Sequence, residues 1–274
     1  MQQKTFHFIS GLPRSGSTLL ANILAQNPRF ETTASSSILA IITNIREQWD
    51  PLFAATPNEQ GKIDVMRGVL HSFYQRSPRP VIFDKCRGWL AVLEMAELLL
   101  ERKAKVLVPV RDMRDILVSF EKLWRKNTAI NQIPQEKAYP LQFQTLEGRC
   151  DVWLQKAEPV GLAYSRIEDA LVRGFRDRIH FVHFEELTAH PRETMRGIYQ
   201  FLGEEPFDHN FDHVEQVTWE DDAVHGFKGL HDIRQKVEPI PPQYPQVLGK
   251  LADKYRGPYV WELPQWKTPA VDRA

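Results

Sequence analysis

Only two cysteines, Cys86 and Cys150, occur in 274 residues. They are too few for a disulfide framework and lack the spacing of a metal cluster, so both are read as reduced thiols. No charge sign dominates, because 35 Lys and Arg balance 35 Asp and Glu. Nothing therefore favours nucleic acid or an anionic membrane surface as a partner. No apolar run approaches the ~20 residues that span a bilayer, so no integral membrane segment is expected. The first residues, Met-Gln-Gln-Lys-Thr-Phe-His, lack a charged stretch followed by an apolar one, and no signal peptide is expected. Internal repeats and low-complexity tracts are missing too. The remaining profile, 42% hydrophobic and 26% charged residues, is that of a soluble globular protein. A reducing compartment, the cytoplasm, is the expected location, and the length suits one domain over residues 1–274.

What is present has an alternating order. Five β-rich runs count as strand candidates, four of them clear at 5–10, 81–83, 105–110 and 179–184. Helical patterns separate them, at 17–26, 59–77, 89–102, 112–126 and 191–202. Residues 32–37 read as a Ser-rich stretch leading into a helix, and 128–140 as loop. This alternation predicts an α/β, P-loop-type three-layer fold with a central, mostly parallel sheet flanked by helices. From residue 204 the chain is rich in Pro, His and aromatics; residues 204–274 are expected to cover a ligand cleft.

The first strand candidate runs into Gly11-Leu12-Pro13-Arg14-Ser15-Gly16-Ser17-Thr18, which has the spacing of a phosphate-binding loop, G-x-x-x-x-G-K-[ST]. The position of the lysine is Ser17. Without that lysine the loop lacks the usual grip on a γ-phosphate. Its backbone N–H groups and the following helix can still cradle a phosphate. Arg14, inside the loop, adds a planar charged fork suited to an oxyanion. The ligand implied carries a phosphate or phosphosulfate end and is neither ATP nor GTP. A second anion pocket is predicted from Arg111, at a strand end, with Ser119 two turns into the next helix.

Together these segments resemble the sulfotransferases that use 3′-phosphoadenosine-5′-phosphosulfate (PAPS), nearest to their tyrosylprotein-sulfotransferase-like branch, which includes bacterial members. Pro13 to Leu19 is similar to the family's P-R-S-G-[ST]-T-L, and Arg111 to Ser119 to R-D-x-x-x-x-x-x-S. Phe184-Glu185-Glu186-Leu187, His190-Pro191, Ile198 and Phe201-Leu202-Gly203 are similar to its Y-E-x-L…P…I…F-L-G. The resemblance implies that Arg14 and the loop Ser15, Gly16, Ser17, Thr18 and Leu19 hold the 5′-phosphosulfate, and Arg111 and Ser119 the 3′-phosphate of PAPS or its product PAP. It implies that Lys85 stabilises the bridging oxygen, that Arg234 in a late basic segment covers the nucleotide, and that no metal is required. The family's basic glutamate has no counterpart, since Thr33-Ala34-Ser35-Ser36-Ser37 contains no carboxylate. Asp84, Glu31 and His231 are the candidate bases. The acceptor is a hydroxyl; peptide tyrosine, favoured by the resemblance, a sugar hydroxyl and a phenolic metabolite stay open.

Two other readings compete. Val81-Ile82-Phe83-Asp84 also has the form of a strand that brings an Asp to Mg²⁺ in a kinase using ATP, although the missing loop lysine opposes this. The other is a catalytically silent nucleotide-binding scaffold.

Overall fold

A computed structural model describes residues 4–128 and 132–266. The strands are β1 (Thr5–Ile9), β2 (Phe30–Ser35), β3 (Val81–Lys85), β4 (Val106–Val110) and β5 (Ile179–His183). They form one sheet in the order β2-β3-β1-β4-β5, parallel throughout. The helices are α1 (Ser17–Leu24), α2 (Ile38–Leu52), α3 (Glu59–Phe73), α4 (Leu93–Leu100), α5 (Met113–Asn127), α6 (Pro134–Ala138), α7 (Leu146–Trp153), α8 (Pro159–Val172), α9 (Phe184–Ala189), α10 (Pro191–Leu202) and α11 (Tyr244–Val247).

The strands are apolar on both faces because both faces are covered, the usual condition of a parallel sheet. Ile9, Phe83 and Leu107 pack against Leu20 and Leu24 of α1 and Ile198 and Leu202 of α10. On the opposite face Phe8, Ile82 and Val108 meet Trp89, Leu93, Ile116, Leu117 and Ile167. This gives the three layers expected from the sequence. β1 lies between β3 and β4, so the connections leave it in opposite directions. Such a switch point opens a crevice at the carboxyl ends of the strands, and the phosphate loop, Lys85, Arg111 and Ser119 lie there.

The fifth strand is β2, which overlaps the stretch read only as Ser-rich. It is an edge strand paired to β3 alone, and only Phe30 in it is buried, so it carries no apolar signature. Two helical expectations also change. Residues 89–102 form a 3₁₀ segment, Arg87–Val92, followed by the shorter α4. The loop read over 128–140 contains α6, which Pro134 begins at its first turn; residues 129–131 lie outside the described residues.

After α10 the chain crosses the mouth of the crevice without joining the sheet. Several buried side chains tether it; Asn127 of α5 accepts from the Lys228 amide (3.1 Å). Asn22 of α1 donates to Thr218 Oγ1 (2.9 Å) and accepts from the amides of Val217 (2.6 Å) and Thr218 (3.1 Å). Asp115 of α5 accepts from the amides of Gln243 (2.9 Å) and Tyr244 (3.3 Å).

Candidate active site

The loop between β1 and α1 is locked to β4. Ser15 Oγ donates to the carbonyls of Leu12 (2.6 Å) and Pro109 (2.9 Å), and Leu12 N donates to Pro109 O (3.1 Å). Gly11 and Gly16 have φ of +104° and +86°, and a Cβ at either would lie 2.5 Å from Pro109 O or 2.6 Å from the Phe184 ring. Only glycine serves there. Arg14 also has positive φ, 60°, a strained conformation for a side-chain-bearing residue. Its carbonyl accepts from Arg111 Nη1 (3.4 Å) and its own Nε donates to Ser119 Oγ (2.9 Å). The residues assigned to two different phosphates therefore meet in one pocket.

That pocket is strongly electropositive. Burial and the neighbouring Arg111 push the Arg14 guanidinium down to about 10, still charged at neutral pH. Burial likewise lowers Arg111, whose guanidinium lies 4.4 Å over the Phe184 ring. Arg111 Nε is buried and has no partner among the described residues. A phosphate oxygen would satisfy it, so these residues fit an anionic nucleotide. Arg14, Gly16, Ser17, Thr18, Leu19, Arg111, Ser119 and Arg234 all line one cleft of about 530 Å³. Ser15 is the exception: it is buried, and its hydroxyl is used to hold the loop.

The candidate catalytic groups separate sharply. Lys85 ends β3 on the α1 side, with Nζ 3.4 Å from Thr18 Oγ1. Asp84 faces the other way and is wholly buried; it accepts from Trp89 Nε1 (2.6 Å) and from the Tyr74 hydroxyl. Burial pushes its carboxyl above the ordinary range, against those hydrogen bonds. It therefore lies on the opposite side of β3 from Lys85 and the phosphate loop, because successive strand residues point to opposite faces. Glu31 lies beside Ile82 near the start of the sheet, where it accepts from Ser77 Oγ (3.0 Å) with Arg79 at 3.8 Å. The cleft is at the other end of the strands, so Glu31 is not brought into it.

His231 is brought in. It lines the cleft, and its Nδ1 lies 2.5 Å from Asp222 Oδ1, which fixes the tautomer with Nε2 as acceptor. Burial lowers its pKa from 6.5, although Asp222 and Glu220 oppose that shift. Sequence reasoning missed Glu220. Its Oε1 accepts from Lys85 Nζ (2.8 Å) and from the Ser35 amide (2.8 Å), and its Oε2 lies 3.5 Å from His231 Nε2. Burial raises the Glu220 carboxyl, but Lys85, Ser35 and His231 outweigh burial and hold it at about 2. The signal available in sequence was an acidic run, Glu220-Asp221-Asp222, shortly before His231.

A glycine-bracketed loop at a switch point, with two arginines converging behind it, defines a P-loop-type protein built to hold an anionic ligand. The chain belongs to the sulfotransferase family: a model described as "Sulfotransferase family" matches residues 7–209. It is similar to Protein-tyrosine sulfotransferase A of Caenorhabditis elegans, with 25% identity over 259 residues. That match takes in 86% of this chain but only 58% of the relative's length. Among solved structures, the sulfotransferase domain from the curacin biosynthetic pathway superposes with a TM-score of 0.51, 17% identity and 94% of each chain covered. A mouse sulfotransferase complexed with PAP gives a TM-score of 0.47 and 13% identity, over 93% of this chain and 82% of that one. Glu220, Asp222 and His231 all lie beyond the residues that the family model matches.

Proposed function

We propose that this protein transfers the sulfuryl group of PAPS to a hydroxyl acceptor. The observation that carries this reading is the convergence of Arg14, Arg111 and Ser119 behind a loop without a lysine, with Lys85 at the head of α1. The match to the sulfotransferase family model and the 25% identity to a protein-tyrosine sulfotransferase support it. The donor supplies an activated sulfuryl group and a phosphate leaving group. Arg14 and the loop amides hold its 5′ end, Arg111 and Ser119 its 3′-phosphate, and residues 204–266, with Arg234, act as cover. The acceptor oxygen bonds to sulfur as the bridging S–O bond breaks, and the hydroxyl proton passes to His231 Nε2.

In this scheme Lys85 exchanges Glu220 for the bridging oxygen, where negative charge grows, and donors aimed at developing charge are usually the largest electrostatic contribution. Asp222 keeps His231 in the accepting tautomer. Glu220 stands between acid and base and holds Lys85 in place. The kinase reading loses its metal-binding aspartate, since Asp84 is committed to Tyr74 and Trp89. The two free cysteines suit the cytoplasm as the working location. The test is PAP release from PAPS in the presence of a chelator and a mixed panel of phenols, sugars and tyrosyl peptides. Turnover under those conditions is expected. A requirement for ATP and Mg²⁺ would instead make the protein a kinase, and nucleotide binding without turnover would make it a scaffold.

A further inference from the structure

The charge that the proposed reaction needs at the phosphosulfate is that of Lys85, yet the structure does not leave it open. Among the described residues its ion-pair partner is Glu220, whose Oε1 also accepts from the Ser35 amide, both at 2.8 Å. Thr18, Ser35 and His231 form part of the cleft wall, and Lys85 does not. Nor is Glu220 a surface carboxylate that happens to fall there. Trp219, 71% exposed, and Asp221 turn outward, while Glu220 between them is 10% exposed. Two residues earlier the buried Thr218 is held by Asn22, whose Nδ2 also donates to the Thr18 carbonyl (2.8 Å). Lys85 Nζ in turn lies 3.4 Å from Thr18 Oγ1. These contacts close a circuit from Thr18 through Asn22, Thr218, Glu220 and Lys85 back to Thr18, and it ties the carboxylate to the phosphate loop. A buried ion pair adds little stability over apolar packing, so a pair kept against a ligand loop calls for another role.

We propose that Glu220 is a built-in competitor of the donor, which neutralises Lys85 while the loop is empty and is displaced when a phosphosulfate or 5′-phosphate arrives. The inference rests on the sulfuryl-transfer reading above. An anionic oxygen within hydrogen-bond reach of Lys85 Nζ comes beside Glu220 Oε1, and two negative charges so close repel strongly in a buried site. The carboxylate then gives up the Ser35 amide along with Lys85. Its Oε2 already lies 3.5 Å from His231 Nε2, so the displaced charge has the base as its neighbour. Donor binding thereby uncovers Lys85 and leaves an unneutralised carboxylate beside His231, where it favours uptake of the proton.

The test is calorimetric titration of PAP into the full chain, into Glu220→Gln, and into Asp221→Asn, which removes the same charge one residue away. Glu220→Gln should bind PAP roughly 3–10-fold more tightly than wild type, the gap between a charged and a neutral hydrogen bond. The exposed Asp221 is screened by solvent, so Asp221→Asn should stay within about twofold of wild type. Equal tightening in both variants would make Glu220 one negative charge among several, and unchanged or weaker binding in Glu220→Gln would make it a support for the site; either overturns the proposal and leaves the donor reading standing. Hydrogen exchange of the wild-type protein, read by NMR, decides the point if the variant does not fold. On saturation with PAP the Ser17 and Thr18 amides should slow while the Ser35 amide exchanges faster. A Ser35 amide that slows or stays as it was contradicts the displacement. If PAP binds none of the three proteins the donor reading falls, and the same titrations with inorganic pyrophosphate decide the competitor: tighter binding by Glu220→Gln alone keeps it, and any other result removes it.

Discussion

The sheet and its loop differ from the segment after α10 in how each is held. Residues 5–128 and 132–203 owe their positions to parallel ladders, helix caps and two packed faces. The covering segment has no ladder with the sheet; it crosses the cleft between Asn22 and Asp115. The first region supplies the phosphate loop, both arginines and Lys85. The second supplies Glu220, Asp222 and His231. In the proposed scheme the main donor grip and proton transfer reside in parts of the molecule with different mechanical origins, and substitutions should separate them.

The largest effect is expected at the junction of the two regions. Lys85→Met alone would strand the Glu220 carboxylate, which is 10% exposed, so it is best made together with Glu220→Gln. The double variant should lose about 10²–10³ in kcat, with PAP affinity within a few-fold of wild type. Equal losses in both would show that the junction serves donor binding. Next comes His231→Gln, expected to cost roughly 10²-fold or more in kcat/KM. His231 must be neutral to accept a proton, and its pKa lies below 6.5. Activity should thus be full at neutral pH and fall only below pH 6.5, as pH drops through the lowered pKa, and the acid limb should vanish in the variant.

Smaller effects belong to the loop side. Arg14→Ala and Arg111→Ala should each weaken PAP binding by about 1.5–3 kcal/mol, the value of a charged hydrogen bond. Unchanged affinity in both would overturn their assignment. The smallest expected change is in Asn22→Leu, which cuts the tether to Val217 and Thr218. It should lower kcat several-fold and change PAP affinity less, because Asn22 meets the loop through the Thr18 carbonyl (2.8 Å) while Arg14 and Arg111 keep their places. A loss of PAP affinity would mean that the covering segment grips the nucleotide.

The same contrast governs what the sequence reveals. Gly11, Arg14, Gly16 and Thr18 form a contiguous pattern whose backbone geometry dictates residue type, and Arg111 and Lys85 sit where strands end. Such features are local, so they can be read. β2 escaped because an edge strand needs little apolar surface, with Phe30 alone buried. Asp84 was misplaced by one residue's alternation along β3, and Glu31 by the unseen strand that carries it to the far end of the sheet. Glu220 lies 135 residues from Lys85, in irregular chain. No periodicity or spacing links such a pair; the tether through Asn22 does, and that is a tertiary fact.

The central claim is that this loop holds a 3′-phosphorylated nucleotide without the triphosphate grip of a kinase. Calorimetric titration with PAP, beside ATP with Mg²⁺, tests it most directly. Micromolar binding of PAP in the presence of a chelator, with weak binding of ATP, is the predicted result. Tighter binding of ATP with Mg²⁺ would contradict the account.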